Sequence, residues 1–135
     1  MNIGEAARLS GVPAKTIRYY EDVGLLPAGP RRENGYRDYG GAAVETLRFI
    51  QRARSLGFSV REVAALLELW RDRSRASAEV RALAQQHIAA IDAKISELAG
   101  MRATLAGLVA QCGGDQRSEC PILDTLAGAA ETAQR

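Results

Sequence analysis

The chain has 135 residues, 18 Lys and Arg, 16 Asp and Glu and a formal charge of +2, which fits one modest domain or a small head with an attached arm and excludes a large multidomain enzyme. Its 24 alanines raise the apolar share to 47% while aromatic residues stay at 5%, so the composition favours a mostly α-helical protein over an aromatic-filled β-sandwich. Two cysteines are too few for a disulfide scaffold. The sequence shows neither a signal peptide nor an apolar run of the ~18–20 residues that cross a bilayer. We therefore expect a cytoplasmic protein with reduced thiols and no membrane partner.

The N-terminal part of the chain is basic and begins with two short helices. Residues 1–61 hold 10 Lys and Arg against 6 Asp and Glu (+4), whereas residues 62–135 hold 8 against 10 (−2), so a polyanionic partner is expected for the first half. Apolar spacing predicts a first helix that ends at Gly11 and a second that runs from Pro13, in its first turn, to about Asp22. Two short helices joined by a tight glycine turn predict a helix-turn-helix.

The second helix and the segment after it carry the candidate nucleic-acid contacts. Ile17 and Tyr20 form the buried edge of the helix, which leaves its other side chains free to meet phosphates and base edges. Asn34-Gly35, between Arg- and Tyr-bearing flanks, favours a β-hairpin, and a helix-turn-helix followed by a basic hairpin predicts a winged DNA-binding head. Taken singly, each residue is equally well an ordinary solvated charge or a core-edge tyrosine. The candidate DNA-binding residues are Lys15, Thr16, Arg18, Tyr19, Tyr20, Arg31, Tyr36 and Arg37.

Three further helices follow. Periodic apolar residues over 42–56 stop at Gly57, and Ser59 with Glu62 matches a capping box that opens a helix to about residue 70. Residues 78–111 contain no proline and predict one helix of ~50 Å. Its apolar residues form a narrow stripe, as a helix paired with a second copy requires. The alternative is that this helix folds back on residues 42–70; we favour the homodimer, because the stripe outruns any partner helix in the same chain.

The two cysteines, Cys112 and Cys120, bound a polar loop of seven residues, which is long enough to fold both sulfurs onto one ion. The reducing compartment disfavours a disulfide, and the polar loop disfavours two unrelated buried thiols. Zinc prefers four ligands and His87 is distant in mid-helix, whereas two thiolates suit a soft monovalent ion: Cu(I), or Ag(I) or Au(I). The expected organisation is a winged helix-turn-helix head over 1–70, a hinge and dimerisation helix over 71–111, and a metal-binding loop, short helix and tail over 112–135.

Four motifs follow one another in the first part of the chain: Ile17-Arg18-Tyr19-Tyr20-Glu21, Gly24-Leu25-Leu26-Pro27, Asn34-Gly35-Tyr36-Arg37 and Tyr39. Together they resemble the N-terminal signature of the MerR family of bacterial transcriptional regulators. The resemblance implies that Arg18 and Tyr19 contact DNA from the recognition helix and Tyr36 and Arg37 from the wing, in a homodimer paired through antiparallel long helices. It also implies a promoter with an overlong spacer, which the protein distorts on binding metal so that RNA polymerase engages both promoter elements.

The copper-responsive branch of this family is similar in its two-cysteine loop, which ends in Cys-Pro-Ile, and in a serine that Ser77 matches. Branches that sense divalent ions carry a cysteine there, which reaches the site from the partner protomer and supplies a third sulfur. The resemblance therefore favours Cu(I), Ag(I) or Au(I) over Hg(II), Zn(II), Cd(II) and Pb(II). An N-cap of the long helix is the alternative role for Ser77. The expected function is a non-enzymatic, copper-responsive activator of copper export or detoxification genes. Two alternatives remain open at this point: a sensor of a divalent ion, and a thiol-based metal carrier without DNA function.

Overall fold

The computed structural model describes residues 1–27, 38–114 and 118–128, and within these ranges it contains six helices and no strand. The expected mostly α-helical class is confirmed, while the β wing expected around Asn34-Gly35 lies outside the described residues. The chain divides into two compact units, Met1–Arg81, here called the head, and Ala82–Arg135. The helices are α1 (Ile3–Ser10), α2 (Ala14–Asp22), α3 (Gly41–Ser55), α4 (Val60–Arg71), α5 (Ser77–Gln111) and α6 (Pro121–Leu126).

The first two helices form the predicted helix-turn-helix. Asn2 caps α1, since its Oδ1 accepts from the backbone N–H of Glu5 at 2.8 Å. Gly11 ends α1 at φ 78°, a left-handed conformation that residues with a Cβ rarely adopt, and its N–H donates to the Ala7 carbonyl at 2.9 Å. Pro13 occupies the N-cap of α2 with an extended ψ of 147°. The helix therefore starts at Ala14, one residue after the predicted position.

The hydrophobic core of the head draws on α1 to α4 and the chain between α2 and α3. Ile17 of α2, Leu47 and Ile50 of α3 and Val63 of α4 are each 0% exposed. Burying one such side chain contributes about 1.5–3 kcal/mol, so this cluster supplies the stability that holds α2 in place. The core residues are Ala6, Val12, Ile17, Tyr20, Leu25, Leu26, Tyr39, Val44, Leu47, Ile50, Ala53, Val63 and Leu67.

Side chains stabilise both ends of α4. The predicted capping box is present at its start: Glu62 N–H donates to Ser59 Oγ at 3.1 Å, and Ser59 N–H donates to Glu62 Oε1 at 2.8 Å. Near its end, Trp70 stacks on Phe49 of α3 with ring centroids 4.5 Å apart and planes 12° apart. Arg75 Nη1 donates to the carbonyls of Asp72 at 3.0 Å and Trp70 at 3.4 Å, so one guanidinium holds the turn that follows α4.

Helix α5 runs for 35 residues and begins at Ser77. Ser77 is thus its first helical residue, and the cap position expected for Ser77 falls one residue earlier. All of α5 is described, and none of its residues is buried. Its apolar stripe stays at the surface of the single chain, as in Ile88 (57% exposed), Ile95 (59%) and Leu105 (52%). Across the described parts of the chain, no helix has both the length and the apolar character needed to cross a membrane.

Candidate recognition helix and cysteine site

Helix α2 presents a polar face to solvent. Lys15 and Arg18 are exposed, Thr16 is half-buried and Tyr19 is 49% exposed. At 100° per residue these four side chains fall within about 160° of the helix circumference, on the side opposite the core-facing Ile17. Two cations, a hydroxyl and a phenol on one face can donate to phosphate oxygens and to base edges.

Tyr20 does not share that exposed face. It is 7% exposed and belongs to the core, with its ring centroid 5.8 Å from that of Tyr19. Its expected place on the buried edge beside Ile17 agrees with the structure, and the DNA contact also expected of it stays a prediction. Tyr20 packs α2 onto the core, because it lies three residues after Ile17 and so on the same side of the helix.

The C-terminal end of α2 is tied to the chain that precedes α3. Tyr39, which is 3% exposed, donates its phenol hydrogen to Glu21 Oε1 at 2.5 Å. The backbone N–H of Tyr39 also donates to the Met1 carbonyl at 2.7 Å, and the Met1 ammonium donates to the Asp38 carboxylate at 2.6 Å. The three remaining candidate DNA contacts, Arg31, Tyr36 and Arg37, lie outside the described residues, so their role stays a prediction.

The two cysteines stand at the facing ends of two helices within the unit Ala82–Arg135. Cys112 directly follows α5, and its N–H donates to the Leu108 carbonyl at 3.1 Å. Cys120 is the N-cap of α6, and its carbonyl accepts from Asp124 N–H at 3.0 Å. Both thiols are free and half-buried. Helix α5 thus ends directly before Cys112, and α6 begins directly after Cys120.

The donor chemistry of this site is two sulfurs. Among the described residues, no group of three or more His, Cys, Asp or Glu side chains could hold a metal ion. A two-thiolate donor set fits a soft monovalent ion and falls short of the four ligands that zinc prefers. Ser77, the candidate selectivity residue, is exposed at the first position of α5.

Comparison with known families assigns the chain. A family profile described as "MerR HTH family regulatory protein" matches residues 1–70, and one described as "MerR, DNA binding" matches residues 44–108. The chain belongs to the MerR family. Its place in the MerR family makes it a transcription regulator and not an enzyme, and the first match covers the helix-turn-helix described above.

Individual MerR relatives match nearly the whole chain. The HTH-type transcriptional regulator HmrR of Sinorhizobium medicae (strain WSM419) is 53% identical over 135 residues, which cover 98% of this chain and 92% of the relative. The HTH-type transcriptional regulator CueR of Vibrio cholerae serotype O1 (El Tor Inaba N16961) is 44% identical over 128 residues, 95% of this chain and 92% of the relative. The crystal structure of the transcription regulator PbrR691 from Ralstonia metallidurans CH34 in complex with lead(II) matches with a TM-score of 0.82 at 35% identity, covering 93% of this chain and 98% of that one.

Two side chains of α3 that the sequence patterns did not single out lie against the turn of the helix-turn-helix. Arg48 donates from Nε and Nη2 to the Leu9 carbonyl at 3.2 and 2.9 Å, and Gln51 Nε2 donates to the Gly11 carbonyl at 3.3 Å. Arg48 and Leu9 are 39 residues apart in sequence, and Gln51 and Gly11 are 40 residues apart. Their one sequence signal is that both residues directly follow a core position of α3, Leu47 or Ile50, and so flank its buried face.

Proposed function

We propose that this protein is a homodimeric, Cu(I)-responsive transcriptional activator that binds promoter DNA and detects the ion through Cys112 and Cys120. The observation that carries the proposal is the pair of free, half-buried thiols at the ends of one short connection in a MerR-family chain. The HmrR and CueR relatives that match nearly the whole chain support a regulator of this kind.

The donor set supports a soft monovalent ion. Thiolates bind Cu(I) and also zinc, but two of them complete a linear site for Cu(I) and only half of the four-ligand site that zinc prefers. Ag(I) and Au(I) fit the same two-thiolate set. Ser77 supplies a hydroxyl, a poor ligand for such an ion, where a cysteine would add a third sulfur. A monovalent ion held by two thiolates carries a net charge of −1, so the surrounding protein must compensate it.

DNA binding is assigned to the head. Lys15, Thr16, Arg18 and Tyr19 on the exposed face of α2 enter the major groove, and Arg31, Tyr36 and Arg37 grip the adjacent backbone from the wing. The dimer remains on the promoter with and without metal. Ordering of the 112–120 segment changes the angle between the two heads, which bends and untwists the spacer so that RNA polymerase engages both promoter elements.

A sensor of divalent ions is the second candidate. It is favoured by one specific observation, the likeness of this chain to PbrR691, whose crystal structure is a complex with lead(II). A divalent ion in this chain would need a third ligand beyond the two cysteines, and the described residues offer no three-member cluster of His, Cys, Asp and Glu.

In vitro transcription from the promoter beside the gene separates the two candidates. The reduced protein is titrated with Cu(I), Ag(I), Zn(II), Hg(II) and Pb(II) at buffered free-metal concentrations. Activation by Cu(I) and Ag(I) alone is expected, whereas activation by Zn(II), Hg(II) or Pb(II) would establish the divalent sensor.

Cysteine variants test the site in the same assay. Cys112→Ser and Cys120→Ser should both lose activation while their affinity for promoter DNA stays near that of the wild type. Ser118→Ala, an exposed change between the two cysteines, is the matched control and should respond normally. An inducible Cys120→Ser protein would refute the two-thiolate site.

A further inference from the structure

Side chains of α3 donate hydrogen bonds to backbone carbonyls at the turn of the helix-turn-helix. Arg48 directs two guanidinium N–H groups at the single carbonyl of Leu9, in the last turn of α1, at 3.2 and 2.9 Å. One helical turn along α3, Gln51 donates to the carbonyl of Gly11 at 3.3 Å. Two α3 side chains therefore hold the carbonyls on either side of Ser10, and α2 begins three residues after Gly11.

The geometry of Gly11 shows how closely Gln51 approaches. A Cβ placed on Gly11 would lie 3.2 Å from Gln51 Oε1 and 3.3 Å from Gln51 Nε2, which is tighter than ordinary van der Waals contact. Gly11 also has φ 78°. The amide of Gln51 thus lies directly over the point where the chain changes direction between the two helices.

Arg48 is exposed, and its Nε and Nη2 both donate to the Leu9 carbonyl. Its guanidinium completes the C-terminal end of α1, where unpaired carbonyls and the helix dipole favour a cation. Arg18 is also exposed, on the outward face of α2. Arg48 therefore differs from Arg18 in its hydrogen-bonded position at the turn and not in exposure.

We propose that Arg48 and Gln51 are positioning residues for DNA recognition: they hold the Leu9–Gly11 turn so that α2 is presented at one fixed orientation, and Arg48 does not contact phosphate. The inference rests on the proposed DNA-binding function of α2. A side chain placed a fraction of an ångström off loses base-edge hydrogen bonds first, since these depend on alignment more than contacts with the phosphate charge do. The expected loss therefore falls on sequence-specific binding.

The test compares two DNA probes and four variants of the full chain. The specific probe is a duplex that the wild-type protein selects from a pool of random sequences, and the non-specific probe is poly(dI-dC). Arg48→Met removes the donors and keeps an unbranched side chain, and Arg48→Lys restores one donor. Arg52→Met removes the same charge from an exposed position one turn further along α3, and it reports the effect of charge alone.

Arg48→Met should bind the selected duplex about tenfold more weakly, a loss of the size that a mismatched base pair causes. Its affinity for poly(dI-dC), and the slope of log affinity against log salt concentration, should equal those of Arg52→Met. Arg48→Lys should recover most of the specific affinity. Gln51→Met should show the same pattern as Arg48→Met, with a smaller loss because its hydrogen bond is longer and uncharged.

Three results would overturn the inference. A salt slope that is smaller by about one for Arg48→Met, with weaker binding to both probes, would make Arg48 a phosphate contact. Equal weakening on both probes with a lowered melting temperature would make it a general stabiliser of the head. Wild-type discrimination between the probes in Arg48→Met would leave the proposed function standing and remove the positioning role, whereas a wild-type protein that selects no duplex would remove both.

Discussion

Replacing Ile95 with aspartate should break the pairing of two protomers. Ile95 lies near the middle of the α5 stripe and is 59% exposed in the single chain. Since full burial of an isoleucine contributes about 1.5–3 kcal/mol, covering its exposed part contributes about 1–2 kcal/mol per protomer. Twofold symmetry applies the change twice, about 2–4 kcal/mol per dimer, and a buried carboxylate adds to the loss. The dissociation constant of the dimer should rise by about 30-fold or more.

Sedimentation equilibrium over a range of protein concentrations measures this constant directly. Ala93→Asp is the matched control, because residue 93 is also exposed and lies about 160° around the helix from Ile95. Both variants place one aspartate in the middle of α5, and Ala93→Asp loses more helix propensity than Ile95→Asp because alanine is the best helix former. A larger effect of Ile95→Asp therefore cannot come from helix propensity. Equal dissociation constants for the two variants and the wild type would refute the assignment of this stripe as the dimer interface.

Three further outcomes are expected. Ser59→Ala removes the acceptor for Glu62 N–H and should lower the free energy of unfolding by about 0.5–2 kcal/mol in a denaturant titration; an unchanged midpoint would show that the box is dispensable. Hydrogen bonds from the side chain and backbone of Ser74, aided by the charge of Arg75, hold the pKa of Asp72 below its usual 3.8. The ionised carboxylate therefore stabilises the fold above that pH and ceases to do so as the pH falls through the lower folded value. Asp72→Asn should therefore have a slightly lower melting temperature than the wild type at pH 7 and the same melting temperature in acid. A difference between the two melting temperatures that persists in acid would contradict this role of the carboxylate. Ser77→Cys should extend transcriptional activation to divalent ions, and an unchanged metal profile would show that Ser77 does not set selectivity.

Local chemistry allowed the helices of this chain to be predicted closely. Gly11 and the Ser59–Glu62 capping box each act within three or four residues, so their effect is visible in the sequence and the helix bounds agree with it to within a residue or two. The absence of proline over 78–111 likewise predicted α5 as one helix. The start of α2 differs by one residue, because Pro13 takes an extended ψ before the helix rather than joining its first turn.

Contacts between distant parts of the chain could not be predicted in this way. The hydrogen bond from Tyr39 to Glu21 spans 18 residues, and that from Arg48 to Leu9 spans 39. Both depend on how α3 and the chain before it pack on the helix-turn-helix, which no local periodicity encodes. Tyr20 shows the same limit, because its motif indicates a contact residue while packing places it in the core.

The helix ends beside the two cysteines agree with the sequence, because Cys112 and Cys120 were expected to bound one polar loop and α5 ends at Gln111 while α6 begins at Pro121. The number of ligands and the charge around the two thiols depend on contacts between distant residues, which sequence spacing does not encode.

The stacked pair of Trp70 and Phe49 makes the protein its own optical probe. The chain contains a single tryptophan, so its entire indole emission originates at the end of α4. There Trp70 is 42% exposed, and its backbone carbonyl accepts from Arg75. The cysteines belong to the other compact unit. A change in emission colour or intensity when metal is added would therefore report, without any label, that an event at the thiols has reached the head.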